Sequence, residues 1–422
     1  MDNKKMNKNV YLIGIKGQGM TGLALILKKE GYNVTGSDIR EKFSTDKILK
    51  KAGIKYYQNF SPKHLPLTKK DVWFISSTAY LGHKIKNPEV NELRKRKIPI
   101  TPYSEAVAEL FNKKFGIAVC GTHGKTTTAA LIASILKKAG KKPTALIGGE
   151  VIEWQSNALT GKGDFFVLEA DEYRGQFLKY QPKIIAITNI DYDHPDYFKN
   201  EKIYREVFKK FEKNLKPGGK IFYTPKKIKQ HFQTHLLGQH NQKNIYLAKI
   251  VTSYLGVEEK IIEKAISNFK GVRRRLEKIG LYKKNIIIDD YAHNPEKVTA
   301  SLKTLKETYP DKKISVIFQP HTFSRTQKFL KEFAKSLILA DHIYLLDIYS
   351  SAREKNGKIN SDKLAIEIKK LGHQATNLKT IKNAIKLCRQ NKITQGVWVT
   401  MGAGNVFRIA YALVKNKSYS SL

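Results

Sequence analysis

At 422 residues the chain is too long for a single compact core and calls for two to four domains. Apolar residues make up 41% of it and aromatic residues 10%, which is enough to fill such cores and excludes a disordered polyelectrolyte. The net charge of +40 makes nucleic acid the first partner to weigh, but the lysines fall in scattered pairs such as Lys28-Lys29, Lys137-Lys138 and Lys312-Lys313, on segments that read as helices or turns.

That is the pattern of a solvated face. The densest cluster, PKKIKQ at 225–230, has none of the interleaved aromatics of a single-strand platform, so no nucleic-acid function is expected. The excess charge would also steer a polyanionic substrate inward. No stretch reaches the roughly 20 apolar residues of a membrane span. The run Val10–Ile15 is too short for a secretory leader. The only cysteines, Cys120 and Cys388, give neither a disulfide framework nor a zinc quartet. The expectation is a cytoplasmic protein without membrane insertion, a monomer or weak homo-oligomer.

The first block opens with a short strand, NVYLIGI, that runs into GIKGQGMTGLALILKK. Gly14, Gly17, Gly19 and Gly22 allow a tight turn and close backbone approach to an anion, and the helix that follows at Met20 offers its N-terminus. A second strand from Asn33 to Gly36 ends at Ser37-Asp38, where a carboxylate could meet a ribose hydroxyl. A third, Val72–Ser76, is followed by Ser77, and a crossover through Asn87-Pro88-Glu89 leads to Pro99-Ile100. On these residues alone the block fits a nicotinamide-dependent Rossmann enzyme equally well.

The second block begins with FGIAVC (115–120), a buried-type strand leading straight into Gly121-Thr122-His123-Gly124-Lys125-Thr126-Thr127. The usual phosphate loop has two more residues between its glycines. The physics survives the shortening: backbone amides and a helix N-terminus hold phosphates, Lys125 supplies a point charge, and the Thr126 hydroxyl is a hard ligand for Mg²⁺. Downstream, VLEADE and AITNIDYDHPDYF are apolar strands ending in Glu169, Asp171, Glu172, Asp191, Asp193 and His194. Carboxyl ends of parallel strands are where such sheets build their sites, although acidic residues there also serve as helix caps. LLGQHNQKN then puts His240, Asn241 and Asn244 at a helix start, where the amides would cap the helix or read a base edge.

The third block, from about Gly271, contains VRRRLE, NIIIDDYAHNPEKV, KKISVIFQPHTFSRT, HIYLLDIYSSAREK and GVWVTMGAGN. Four strands with polar ends carry Asp290, His293, Asn294, His321, Arg325, Asp347, Tyr349 and Arg353. Several such residues on one sheet edge point to a binding surface. The fold expected is α/β in three domains: a Rossmann-like domain over 1–113, a P-loop ATPase-like central domain over 114–270, and a second Rossmann-like domain over 271–422.

GTHGKTT, VLEADE, NIDYDH, GQHNQKN, RRRLE and DDYAHNP occur in an order that resembles the ATP-dependent Mur ligases of peptidoglycan synthesis, over about residues 9 to 410. GIKGQGMTG, SSTAY, FQPHTFSRT and DIYSSAREK are most similar to the branch that adds L-alanine to UDP-N-acetylmuramate. The resemblance implies a sugar-nucleotide site at Gly14, Gly17, Gly19, Met20, Ser37, Asp38, Ser76 and Ser77. It implies ATP contacts from Gly121 to Thr127 and at Asn241, Asn244, Arg275, Asp290 and Asn294. Catalytic roles fall to Lys125, Glu169, His194, His321 and Arg325, Mg²⁺ ligation to Thr126, Glu169 and His194, and amino-acid contacts to His321, Arg325, Tyr349 and Arg353.

The same resemblance implies a hinge near residues 268–273. Two departures stand out. Tyr173-Arg174 replaces the serine and aspartate expected after EADE and is similar to the related ligase that recycles a tripeptide. The segment between IFYTP and HLLGQHN is abridged, with PKKIKQ in its place. A basic nucleic-acid binder and a non-enzymatic UDP-sugar scaffold are the rival readings, and glycine or L-serine remain open as acceptors.

Overall fold

The computed structural model describes residues 9–66, 72–82, 86–194, 197–228, 230–350, 354, 356–390 and 395–415. Alternation of short apolar runs with amphipathic segments produces an α/β architecture built on three sheets. In the first, β1 (Asn9–Ile13), β2 (Asn33–Ser37), β3 (Val72–Ser76) and β4 (Thr101–Pro102) run parallel in the order β2-β1-β3-β4. The helix Gln18–Lys29 returns from β1 with Leu23, Ala24, Ile26 and Leu27 buried against the sheet.

The second sheet is formed by β5 (Phe115–Cys120), β6 (Thr144–Val151), β7 (Ser156–Thr160), β8 (Phe165–Glu169), β9 (Ile184–Ile187) and β10 (Lys220–Tyr223), ordered β10-β9-β5-β8-β6-β7. All neighbours are parallel except β6 and β7. These two sheets form one compact unit, comprising the residues to His235 and His240–Val272. Inside it the helix Gln18–Lys29 also packs on β6 and β7; a Cβ on Gly22 would lie 2.4 Å from Leu146 and 2.7 Å from Asn157.

The second unit begins at Arg273 and also takes in Leu236–Gln239. Its sheet has β11 (Glu277–Tyr282), β12 (Asn285–Asp290), β13 (Lys313–Phe318), β14 (His342–Leu346), β15 (Ala375–Lys379) and β16 (Gly396–Met401) in the order β11-β12-β16-β13-β14-β15. Only the β11–β12 pair is antiparallel. Apolar clusters cover both faces, one around Phe318, Phe333 and Leu337, the other around Trp398, Ile409 and Leu413.

Most strands that the sequence pattern identifies are interior ones, apolar on both faces, with the edge strand β2 the exception. It passes over the short edge strand β10, and over β6, β7, β11 and β15. The last four carry glycines (TALIGGEV) or polar residues (ATNLK), and β7, β11 and β15 lie at sheet edges where one side needs no apolar partner.

Beneath the first sheet's carboxyl end lies Glu89, fully buried. Asn87 starts its helix, Pro88–Lys95, by accepting from the amides of Glu89 (2.9 Å) and Val90 (3.1 Å), with Pro88 in the first turn. The Glu89 carboxylate accepts from the Tyr11 hydroxyl at 3.0 Å, the Ser61 amide at 3.1 Å and the Ser37 hydroxyl, and His64 Nδ1 stands 3.4 Å away. Glu89→Ala leaves these buried donors without an acceptor, so it is expected to destabilise the first unit by about 2–4 kcal/mol. A urea midpoint equal to wild type would contradict this.

Candidate active site

In the second sheet β5 lies between β9 and β8, so three parallel strands end side by side and their loops must converge. The turn after β5 has room only for glycine at two places. Gly121 has φ 129° and a Cβ there would meet Thr188 Oγ1 at 2.2 Å, while Gly124 has φ 82° and would meet Asn244 Oδ1 at 2.3 Å. The turn is fastened to the segment after β9. The Thr122 amide donates to Asn189 O (3.1 Å), the His123 amide to Asn189 Oδ1 (2.8 Å), and the Thr122 hydroxyl to Asp191 O (2.6 Å).

The helix Lys125–Lys138 starts directly from this turn, with Thr126, Thr127 and Thr128 buried in its first turn. Lys125 Nζ donates to Gly121 O at 2.6 Å and reaches both carboxylate oxygens of Glu172, at 2.8 and 3.1 Å. Burial alone would lower the Lys125 pKa, but Glu172, with Asp171 and Glu169 behind it, outweighs burial and raises it, so the ammonium keeps its charge. The Thr126 hydroxyl donates to Glu169 Oε1 at 2.8 Å, and the Gly148 amide holds Glu169 Oε2 at 2.5 Å.

His194, in a left-handed conformation (φ 60°), brings Nε2 to 3.7 Å from Glu172 and 3.9 Å from Asp193. Asp171, Glu172 and His194 each offer a ligand atom within 4.8 Å of one another. Hard oxygens grouped beside a phosphate-type loop suit Mg²⁺. Asn241 Oδ1 accepts from Asn244 Nδ2 at 3.0 Å, and burial, with His123 nearby, lowers the His240 pKa. Tyr173 lays its ring 4.7 Å from that of His194, with the Arg174 guanidinium 5.4 Å over it on the other hand.

The first glycine loop is built differently. Gly14 N and Ile15 N donate to Ser37 O, and Gly17 N to Gly14 O, before the helix starts at Gln18. Gly19 lies against Tyr103, and the Met20 side chain is part of the hydrophobic core, leaving its backbone for a ligand. Asp38, expected from the sequence to meet a ribose, has both oxygens engaged by backbone amides, Oδ2 by Lys16 N at 2.7 Å and Oδ1 by Ile39 N at 2.8 Å. Ser37 is tied to Glu89, Ser76 donates to Ser77 O at 3.1 Å, and Ser77 Oγ caps the turn at Ala79.

In the second unit the three consecutive arginines separate by partner. Arg273 pairs with Glu277 (3.2 Å) and reaches the Tyr411 hydroxyl. Arg274 pairs with buried Asp289 (3.1 Å), donates to the carbonyls of Gly402 and Gly404, and lies over Phe407 and Tyr291. Among the described residues Arg275 makes no hydrogen bond or ion pair; its guanidinium lies 5.8 Å over Tyr291. Asp290 accepts from the amides of Leu276 (2.9 Å) and Ala292 (2.6 Å), and its burial, despite Arg275, pushes its pKa up to about 6. Asn294 caps the helix Pro295–Thr308 through Lys297 N at 2.9 Å.

β13 and β14 end beside each other, which pairs His321 with Tyr349 in an isolated bridge, their rings stacked 5.9 Å apart. Arg325 Nη1 stands 3.4 Å from His321 Nδ1. Burial, helped by Arg325, pulls the His321 pKa down to about 4, and burial with Lys297 pulls His293 down to about 3. Arg353 lies outside the described residues.

Family models match most of the chain: "Mur ligase family, catalytic domain" over residues 9–115, "Mur ligase middle domain" over 119–225 and "Mur ligase, glutamate ligase domain" over 274–404. The chain belongs to the Mur ligase family. A relative named UDP-N-acetylmuramate--L-alanine ligase, from Desulfitobacterium hafniense (strain Y51), is 34% identical and aligns over 97% of this chain and 100% of its own. That alignment runs over 455 residues, so this Mur ligase lacks segments that the relative carries.

Among solved structures, UDP-N-acetylmuramate-alanine ligase from Thermotoga maritima superposes with a TM-score of 0.80 at 26% identity, covering 98% of this chain and 99% of its own. A murein peptide ligase from Psychrobacter arcticus follows at 0.69 and 22%, covering 96% and 98%, a likeness of fold alone.

Sequence reasoning passed over Asn189 and Tyr204. Asn189 gives no signal beyond a polar residue at a strand end, and Tyr204 sits in the first turn of the helix Glu201–Glu212, 82 residues from Thr122, to which its hydroxyl comes within 2.9 Å. Two outcomes follow from the second unit. Arg274→Ala strands buried Asp289 and is expected to cost about 3–5 kcal/mol, against less than about 1 kcal/mol for Arg275→Ala. Equal losses in denaturation would contradict the division of labour. Protonation of His293 and His321 opposes folding, so their contribution to stability is present above pH 6.5 and fades as the pH falls toward 4. Imidazole NMR shifts should leave both neutral at pH 5, and a midpoint near 6.5 for either would refute it.

Proposed function

We propose that this Mur ligase is a cytoplasmic, ADP-forming enzyme that joins L-alanine to the lactyl carboxylate of UDP-N-acetylmuramate for peptidoglycan synthesis. The observation that carries the ATP-dependent part is the phosphate-type turn with its half-buried, charged Lys125 paired with Glu172, beside the Thr126–Glu169 pair and His194. The choice of substrates rests on the named relatives and on FQPHTFSRT. The first glycine loop, Gly14 to Met20, is assigned to the sugar nucleotide with the Ser37-Asp38 and Ser76-Ser77 turns around it.

A carboxylate is a poor electrophile, so it must be activated before an amine attacks. An oxygen of the lactyl carboxylate takes the γ-phosphoryl group of ATP, the bond to ADP breaks, and an acyl phosphate results. The amine of alanine then attacks the acyl carbon and loses a proton, and phosphate departs. The turn from Gly121 to Thr127 is assigned to the phosphates, with the amides of Thr122 and His123 fixing its shape through Asn189 and the helix start at Gly124 to Thr127 facing the ligand, and Lys125 supplies fixed positive charge where negative charge shifts. Thr126 with Glu169, and His194, would hold Mg²⁺, which supplies further charge neutralisation when bound.

Asn241 and Asn244, and in the second unit Arg275, Asp290 and Asn294, are assigned to the nucleotide. Arg275 suits this because, among the described residues, its guanidinium makes no hydrogen bond or ion pair and lies near the Asp290 carboxylate's charge. Arg325 and Tyr349 are assigned to the alanine, Arg325 to its carboxylate, and the resemblance adds Arg353, which lies outside the described residues. His321 stays neutral at working pH and so can accept a hydrogen bond from the attacking amine.

The deciding experiment is phosphate release from MgATP with UDP-N-acetylmuramate, comparing L-alanine, glycine, L-serine and the recycled tripeptide against no acceptor. Release is expected only with both the sugar nucleotide and L-alanine. Lys125→Ala and Glu169→Ala should each lower kcat by at least about a hundredfold. Release with the tripeptide instead would make Tyr173-Arg174 the guide to the acceptor, and sugar-nucleotide binding without turnover would leave a scaffold.

A further inference from the structure

We propose that Glu172 is a built-in competitor for Lys125, which takes the ammonium back from the nucleotide phosphate and so sets the rate of ADP release. The inference rests on the ligase reading above and concerns a carboxylate to which that reading gives no role. An ammonium has three donors. Those of Lys125 already face Gly121 O at 2.6 Å, Glu172 Oε2 at 2.8 Å, Glu172 Oε1 at 3.1 Å and Thr122 O at 3.5 Å. A phosphate oxygen therefore gains Lys125 only at the expense of one of these bonds. The two carbonyls belong to the turn that must itself receive the phosphate. Glu172 is the one partner that does not.

Glu172 is also held so that it waits rather than follows. It is fully buried in the loop after β8, the Tyr204 hydroxyl is 3.3 Å from Oε1, and Tyr204 is itself fully buried among Tyr192, Phe198 and Phe208. A buried carboxylate that has lost its cation is costly, which pulls Lys125 back as the phosphate leaves. The same carboxylate stands 3.7 Å from His194 Nε2, so the competitor also borders the residue assigned to the metal.

The competition has a sign that a purely structural role lacks. Replacing Glu172 by an isosteric neutral residue removes the rival and should tighten the nucleotide while slowing turnover. The test is mant-ADP binding and dissociation by stopped flow in EDTA, on wild type, Glu172→Gln and Glu172→Asp, with thermal melting as a check of folding. Glu172→Gln should bind mant-ADP about tenfold more tightly or better, through slower dissociation, the size expected for one charged hydrogen bond. Glu172→Asp, whose shorter side chain cannot span both contacts, should fall between it and wild type and decides the matter if the glutamine variant does not fold. In steady state with MgATP, Glu172→Gln should show a burst of ADP followed by a lowered kcat.

Unchanged or weaker mant-ADP binding in the folded variants would overturn the inference. So would a raised Mg²⁺ requirement without tighter metal-free binding, which would make Glu172 a metal ligand. Failure of wild type to bind mant-ADP would instead remove the ligase reading itself.

Discussion

A positive charge has to be kept at a half-buried helix start, and much of the first unit is arranged around that requirement. Lys125 begins a helix whose N-terminal dipole already carries partial positive charge, which disfavours a cation there. The remedy comes from another strand: Glu172 after β8 faces Lys125 because β8 is the direct neighbour of β5. Phosphate binding wants the same helix end and the same cation, so the carboxylate that makes Lys125 tolerable also limits how firmly a nucleotide is held. The aromatic packing around Tyr204 then serves the site as much as the core, since it fixes the position of that carboxylate.

Interior strands and the phosphate-type turn were legible because two physical constraints coincide there. FGIAVC must be apolar on both faces, and the turn that follows must be glycine where Thr188 and Asn244 leave no room for a Cβ. Lys125 and Thr126 could be read because only a helix start gives them a use. The edge strands β11 and β15 were not legible, since most of their residues are exposed or only half-buried, and β7 was not because it opens on the polar pair Ser156-Asn157.

Long-range polar contacts were hidden for a different reason. Glu89 reads as an ordinary acid in the first turn of a helix, where acids are favoured, and only the fold brings Tyr11, 78 residues away, onto it. Asp38, read as a ribose contact, already accepts from the Ile39 amide of its own turn and from the Lys16 amide 22 residues away in the turn after β1. Among Arg273, Arg274 and Arg275 nothing in the sequence marks which is free; the distinction arises from Glu277, Asp289 and the carbonyls after β16.

The chain has two glycine turns at strand ends, and electrostatics distinguishes them. Both present backbone amides and a helix N-terminus, which suffices to hold a phosphate that does not react. In the first, GIKGQG, the only cation is Lys16, and it is turned away: its Nζ donates to Glu41 O and pairs with Asp46 at 3.5 Å, while its charge lies over Phe43. That helix then starts with Gln18, Gly19 and Met20, none of which can stabilise migrating charge. The second turn has Lys125 and Thr126 at the equivalent point and Glu169, Asp171, Glu172 and His194 on the adjoining strand ends. Transferring a phosphoryl group moves negative charge, and only a site with a fixed cation and hard ligands lowers the energy of that movement. The first turn therefore suits a handle and the second a reaction, although the backbone geometry at the two strand ends follows the same rule.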